Sequence, residues 1–238
     1  MRVCLYNLMD GGVGRADPLA EVLQAQGADV VLLTEAHDPD VRQRLARRLR
    51  MNLLADGSAA ALVVPQLTPA ASLHHLAIRR TSCRRGGLLE LRWASPPGPT
   101  DAPVTARPAH NASAARQPSH APDPIAVDVL PEWQLFVVDG HERALLPEGI
   151  VASVAAGATC ALLAGTLEGT SVAELGTLAG SGWAEVAVPP NWPTQRPTSA
   201  PDRLLVKGAS VKAVRLETDR LATYASDHYP VVFELTLR

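Results

Sequence analysis

The sequence predicts an α/β domain, and two observations carry that prediction. Short apolar runs of strand length alternate with helix-spaced segments that open on Asp-Pro, at Asp17-Pro18 and Asp38-Pro39. The 238 residues include 47% hydrophobic side chains, enough for one sizeable core, which excludes global disorder. Length alone would also admit an all-β domain or two small ones.

The elements follow in order. "MRVCLYNL" reads as a buried first strand broken by Asn7, and "DGGVGRA" as a loop. Asp17 is the expected N-cap of a helix with Pro18 in its first turn. Leu19, Val22, Leu23 and Gln26 keep helical spacing until Gly27 closes it. "ADVVLLTEA" is a continuous apolar strand ending on Glu35. Asp38-Pro39 starts a second helix with Val41, Leu45 and Leu49 on one face and five arginines around them. "AAALVV", "GLLELRW" and "EWQLFVVDGH" read as strands, the last ending in His141. A helix is expected over 147–156, then the strand of "TCALLAGTLEG" and a short helix in "SVAELGTLAGSG". After the Pro-rich loop "PPNWPTQRPTSAP", the strands "DRLLVKG", "VKAVRLET" and "YPVVFELTLR" complete the chain. No fixed-period repeat is present.

Residues 94–125 differ from the rest. They hold eight of the 20 prolines, four charges and almost no bulky aliphatic side chains. Such a segment cannot bury enough apolar surface to offset its ordering entropy, so a flexible surface insertion is expected there. Its histidines, His110 and His120, read as solvated.

Bulk properties narrow the class. The net charge of -2 gives no global basic surplus, which argues against duplex DNA as a partner. Cys4, Cys83 and Cys160 lack metal-ligand spacing. Cys4 and Cys160 fall inside apolar runs and read as reduced core thiols. No run approaches 18 apolar residues and the first nine residues have no signal-like apolar stretch. A soluble cytoplasmic protein without membrane contact is therefore expected. The Ala, Arg, Pro and Gly bias fits a bacterial genome of high GC content. Oligomeric state is not legible.

Polar groups recur where apolar runs begin or stop: Asn7, Glu35, His141, Asp202 and the adjacent Asp227-His228. Singly, each reads as a strand cap or surface group. Together, carboxylates, an amide and imidazoles at strand ends suit an oxygen-liganded divalent cation and acid–base chemistry on a phosphate.

The segments "VCLYNL", "GADVVLLTEA", "WQLFVVDGH", "ALLAGTLEG", "PDRLLVKG" and "SDHYPVVFEL" resemble, in order and spacing, the endonuclease/exonuclease/phosphatase superfamily, the deoxyribonuclease-I-like fold. The resemblance covers most of 1–93 and 126–238, and "SDHYPV" is its most diagnostic part. It implies two β-sheets packed as a sandwich with helices on the outer faces, a four-layer α/β/β/α arrangement with its site at one edge. It further implies Glu35 as principal ligand of Mg²⁺ (or Mn²⁺), with Asn7 beside it and Asp227 adding to the metal site. It places His228 against the scissile phosphate, oriented by Asp202, with His141 as a second imidazole on the phosphate.

The chain departs from that pattern at one turn. Where the resemblance implies Gly-Asp-x-Asn, it has Gly165-Thr166-Leu167-Glu168. Thr166 cannot serve as a general base near neutral pH, and loss of a positioned base costs about 10²–10⁴ in rate. Glu168, two residues on, is a candidate to compensate. Glu142 adds a carboxylate after His141. Arg79, Arg80, Arg84 and Arg85 read either as phosphate contacts or as a solvated basic loop.

Three functions remain open from sequence. The first is a divalent-metal-dependent phosphoesterase acting on a small phosphorylated molecule or a short nucleic acid. The second is a repurposed relative doing non-phosphoryl acid–base chemistry on a specialised metabolite. The third is a non-catalytic binding module.

Overall fold

The apolar runs become the central strands of two sheets. The computed structural model describes residues 1–67, 79–80, 87–93, 133–139, 159–167 and 178–237. All of them belong to one unit formed by Met1–Ala94 and Pro131–Arg238. The first sheet contains β1 (Arg2–Asn7), β2 (Val30–Thr34), β3 (Asn52–Asp56), β4 (Ala59–Val63), β11 (Ala209–Leu216) and β12 (Val231–Leu237), in the order β11-β12-β1-β2-β4-β3. The second contains β5 (Arg79–Arg80), β6 (Gly87–Trp93), β7 (Trp133–Asp139), β8 (Cys160–Thr166), β9 (Ala184–Val186) and β10 (Asp202–Lys207), in the order β5-β6-β7-β8-β10-β9. Each sheet has one parallel pair near its middle, β1 with β2 and β7 with β8; the other pairings are antiparallel.

Strand periodicity sorts the side chains into layers. Val3, Leu5, Val30 and Leu32 of the first sheet share a buried cluster with Leu135, Val137, Leu162, Ala164, Leu204 and Val206 of the second. That cluster is the sandwich core. The alternate residues Cys4, Tyr6, Val31 and Leu33 pack on the opposite face against α1 (Ala16–Gln26), α2 (Pro39–Leu49) and α3 (Arg220–Ala225). Phe136, Val138, Ala161 and Leu163 occupy the outer face of the second sheet with Leu167, Leu178 and Trp183. Burial on both faces explains why these strands read as continuous apolar runs rather than as alternating ones. Cys4 and Cys160 are buried thiols outside any disulfide, as the sequence implied.

Local signals account for the helix ends, with one shift. Asp38 caps α2, its Oδ1 accepting from the N–H groups of Asp40 and Val41 at 2.9 Å each, ahead of Pro39. Helix α1 starts one residue before the expected cap, at Ala16, so Asp17 lies in its first turn. The Asp17 carboxylate pairs instead with Arg44 of α2 at 2.6 Å. Gly27 ends α1 at φ 56°, in the left-handed conformation glycine favours. Strands β3, β5 and β9 and helix α3 were not anticipated; Arg79 and Arg80, read as part of a basic loop, form β5 against β6. The helix expected over 147–156 and the insertion expected over 94–125 lie outside the described residues, as do residues 171–177 of the "SVAELGTLAGSG" helix. Among the described residues no helix is long and apolar enough to cross a membrane.

Candidate active site

The strand parity that fills the core also builds its polar end. On β1 and β2 the inward residues run Val3, Leu5, Asn7 and Val30, Leu32, Thr34, and Asn7 is paired in register with Thr34. On the second sheet Asp139, Thr166 and Asp202 continue the inward rows of β7, β8 and β10. Thr166 is in register with Asp139 on one side and Asp202 on the other. The last layer between the sheets is thus polar where every layer behind it is apolar.

Thr166 joins the two halves of this layer. Its hydroxyl donates to Asp202 Oδ1 at 2.8 Å, accepts from Asn7 Nδ2 at 3.2 Å and lies 3.0 Å from Thr34 Oγ1. A hydroxyl has one proton, and an ionised carboxylate only accepts, so Thr34 donates to Thr166. Gly165, immediately before it, has no alternative: a Cβ there would meet the Val138 carbonyl oxygen at 1.8 Å.

Asp202 is fully buried at 0% exposure. Beside Thr166 it accepts from His228 Nδ1 at 3.0 Å and from Asn191 Nδ2. Three donors are what allow a carboxylate to sit out of water in ionised form. The Asn191 amide is oriented without ambiguity, because its nitrogen meets two acceptors, Asp202 Oδ2 and the Tyr229 carbonyl at 3.2 Å.

His228 is 5% exposed. Burial alone would lower its pKa, but the Asp202 hydrogen bond and the charges of Asp202, Asp227 and Glu35 together raise it. Its main chain is fixed as well. The His228 N–H donates to Ser226 Oγ at 3.2 Å, and that hydroxyl donates to the Asn7 carbonyl at 2.8 Å. The Pro-rich loop clamps the same turn: the Tyr229 N–H donates to the Asn191 carbonyl, and the Thr194 N–H to the Asp227 carbonyl.

Glu35 stands just past β2 at φ 49°, a left-handed conformation that strains a non-glycine residue. Its N–H donates to Asp139 Oδ2 at 3.2 Å. Its carboxylate accepts from Asn7 Nδ2 at 3.0 Å and from the Asp10 N–H at 2.8 Å. Arg15 pins the loop after β1, donating to the carbonyls of Leu8, Met9 and Ala225. Trp192, 38% exposed, donates from Nε1 to Asp227 Oδ2 at 3.0 Å, with its ring 6.3 Å from that of His228.

A humanized D. rerio TDP2 superposes over 99% of this chain and 98% of its own with a TM-score of 0.64 at 14% identity. A mannosyl-6-phosphatase of Bacteroides thetaiotaomicron covers 100% of both chains at 0.62 and 15% identity. An endonuclease/exonuclease/phosphatase of Beutenbergia cavernae covers 100% of this chain and 71% of its own at 0.59 and 16% identity. The chain has the endonuclease/exonuclease/phosphatase fold. No family model and no curated protein matches the sequence.

Within this fold the residues singled out from sequence fall into two groups. Asn7, Glu35, Thr166, Asp202, Asp227 and His228 gather at the polar end of the sandwich. His141 and Glu168 lie outside the described residues. Thr34, Asp139, Asn191, Trp192 and Ser226 belong to the same cluster and were not singled out. Strand parity could have found Thr34 and Asp139; no local signal marks Asn191, a loop residue beside prolines.

Among the described residues no three His, Cys, Asp or Glu side chains converge as a ready-made metal cage. Magnesium does not require one, since one or two carboxylates, water and substrate phosphate usually complete its shell. Glu35 suits that role. So does Asp227, whose Oδ1 is buried without a hydrogen-bond partner and so offers an acceptor to a cation or to a ligand. Asn7 stands beside Glu35, its amide nitrogen on that carboxylate and its oxygen accepting from the Met9 N–H at 2.8 Å.

Proposed function

We propose that this protein is a phosphoric ester hydrolase acting on a small phosphorylated molecule or a short single strand. The observation that carries this reading is the buried His228–Asp202 pair at the polar end of the sandwich, close to Glu35. Asp202 occupies Nδ1 of the ring, which leaves Nε2 as the nitrogen that meets substrate. The pKa, raised by the Asp202 hydrogen bond and the nearby carboxylate charges against the lowering effect of burial, shifts His228 toward the imidazolium, the form that can donate a proton to a phosphate oxygen or to the leaving group. Bound at Glu35 and Asp227, Mg²⁺ or Mn²⁺ would neutralise phosphate charge that these carboxylates otherwise repel. Similar structures include a complex of D. rerio TDP2 with a single-strand DNA product and the mannosyl-6-phosphatase, both in keeping with this substrate range.

Hydrolysis of a generic phosphomonoester and phosphodiester, with and without Mg²⁺ or Mn²⁺, tests the reading in wild type and His228→Ala. Turnover that vanishes in His228→Ala supports it. No turnover under any condition, with no heat of Mg²⁺ binding in calorimetry, removes it.

A second reading is non-phosphoryl acid–base chemistry on a specialised metabolite. The occupied hydroxyl of Thr166 favours it, since no water is activated at that position.

A further inference from the structure

The hydroxyl of Thr166 has no capacity left. Its proton goes to Asp202, its lone pairs accept from Asn7 and Thr34, and the residue is 1% exposed. It can neither take a proton from water nor reach a cation. Yet its side chain touches the polar rows of both sheets, and it holds the oxygen of Asp202 opposite the one that meets His228.

We propose that Thr166 is a positioning residue, which with Asn191 locks Asp202 so that His228 is fixed in one tautomer. Position 166 is therefore built for a neutral donor and is no gap left by a lost base. The substitution that would recreate a base, Thr166→Asp, sets a second carboxylate within hydrogen-bond distance of the buried Asp202 carboxylate with no proton between them. Like charges so placed cannot both stay ionised. One of the two must take up a proton, or the pair must separate and release His228. Asp202 would then either share one negative charge with the new carboxyl group through a common proton or lose its donor at Oδ1, and its hold on His228 would weaken in both cases. The neutral clamp and the acidic turn are thus alternative solutions for this layer, and introducing half of the second destroys the first.

The inference rests on reading His228 as the proton-transfer group, but its decisive measurement does not require turnover. Histidine ring nitrogens are labelled with ¹⁵N and the His228 signals are identified by their loss in His228→Gln. Spectra are then taken at alkaline pH, where the ring is neutral. Wild type and Thr166→Ser, which keeps the hydroxyl, show a single tautomer protonated at Nδ1. Thr166→Val, which keeps the shape and removes the donor, shows a mixture, and so does Thr166→Asp. If Thr166→Val does not fold, Thr166→Ala gives the same comparison. Where the protein hydrolyses a phosphoester, kcat falls about tenfold or more in Thr166→Val while KM stays within about twofold, because a misplaced group weakens the chemical step more than binding. An unchanged tautomer in Thr166→Val or its Ala substitute overturns the proposal, as does faster hydrolysis by Thr166→Asp than by wild type. An absence of all hydrolysis counts against the phosphoesterase reading and leaves the tautomer comparison to decide this one.

Discussion

Gly165 lies against the backbone of Val138 so closely that a single methyl group on it would sit 1.8 Å from the Val138 carbonyl oxygen. The contact joins β7 to β8 one residue before the two strands deliver Asp139 and Thr166 side by side. Gly165→Ala must therefore push the strands apart at the point where the polar layer begins. The expected loss is about 3 kcal/mol or more, at the upper end of ordinary single substitutions, measured by urea unfolding. A loss under about 1 kcal/mol would show that the strands separate easily there.

Asn191 gives the Asp202 carboxylate one of its three donors and also satisfies the Tyr229 carbonyl. Asn191→Ala leaves both acceptors short in a fully buried setting. The expected cost is about 1–3 kcal/mol in the same unfolding measurement, against a change near zero for an exposed loop residue.

The strand ends were readable because they interrupt apolar runs: Asn7, Glu35, Asp202 and His228 each stand where such a run stops or starts. Thr34 escaped for the opposite reason, and so did the structural role of Thr166. A threonine extends a strand without interrupting it, and its role depends on which residue faces it in another strand or sheet. Position 166 looked like a deficit when set against an expected acid. Its hydrogen bonds with Asn7, Thr34 and Asp202 arise from the sandwich register, which no single segment encodes. Strand β3, as long as β2 and β4, is an edge strand that buries Leu54 while Asn52 is exposed and Leu53 and Ala55 are half-buried, and β9 is three residues long and largely exposed, so neither left a strong apolar signature.

Glu35 combines a strained backbone with hydrogen bonds to Asn7, Asp10 and Asp139. In Glu35→Gly the relief at φ 49° offsets removal of the two hydrogen bonds that the carboxylate accepts from Asn7 and Asp10. Stability is expected to stay within about 1 kcal/mol of wild type. Phosphoester turnover and Mg²⁺ binding are expected to disappear. Calorimetry showing undiminished Mg²⁺ affinity in Glu35→Gly would remove Glu35 from the metal role.

Burial raises the Cys4 thiol from 9.0 to about 12, with Arg215 opposing the shift and Glu217 adding to it. The neutral thiol is the form the fold accommodates. Its contribution to stability is complete below 9.0, where the unfolded thiol is also protonated, and is lost as pH rises towards 12. Burial raises Tyr6 in the same direction, so its contribution declines above its ordinary 10.0. Unfolding free energy is expected to fall more steeply above pH 9.0 in wild type than in Cys4→Val. Equal slopes in the two proteins would show that Cys4 does not carry the effect.

Asp38 offers both lone-pair contacts that cap α2. Asp38→Ala is expected to cost about 1 kcal/mol, read as a lower thermal midpoint, while Asp38→Ser recovers most of it. A cost in Asp38→Ser equal to that of Asp38→Ala would assign the effect to charge rather than to capping.

Strand β12 docks on β1 from the far side of β2, and the hydroxyl of Ser226, in the turn ahead of β12, reaches the Asn7 carbonyl across 219 residues of sequence. That clasp gives the protein an order in time as well as in space. A growing chain can pair β1 with β2 early, but His228 has no seat until synthesis has run past Val231–Leu237 and the late strand has closed against the first. Closing so long a loop is entropically slow and is rewarded only when the whole ladder forms. A chain in which β12 has not yet docked therefore lacks the seat of His228, and the polar end of the sandwich is complete only once that strand pairs with β1.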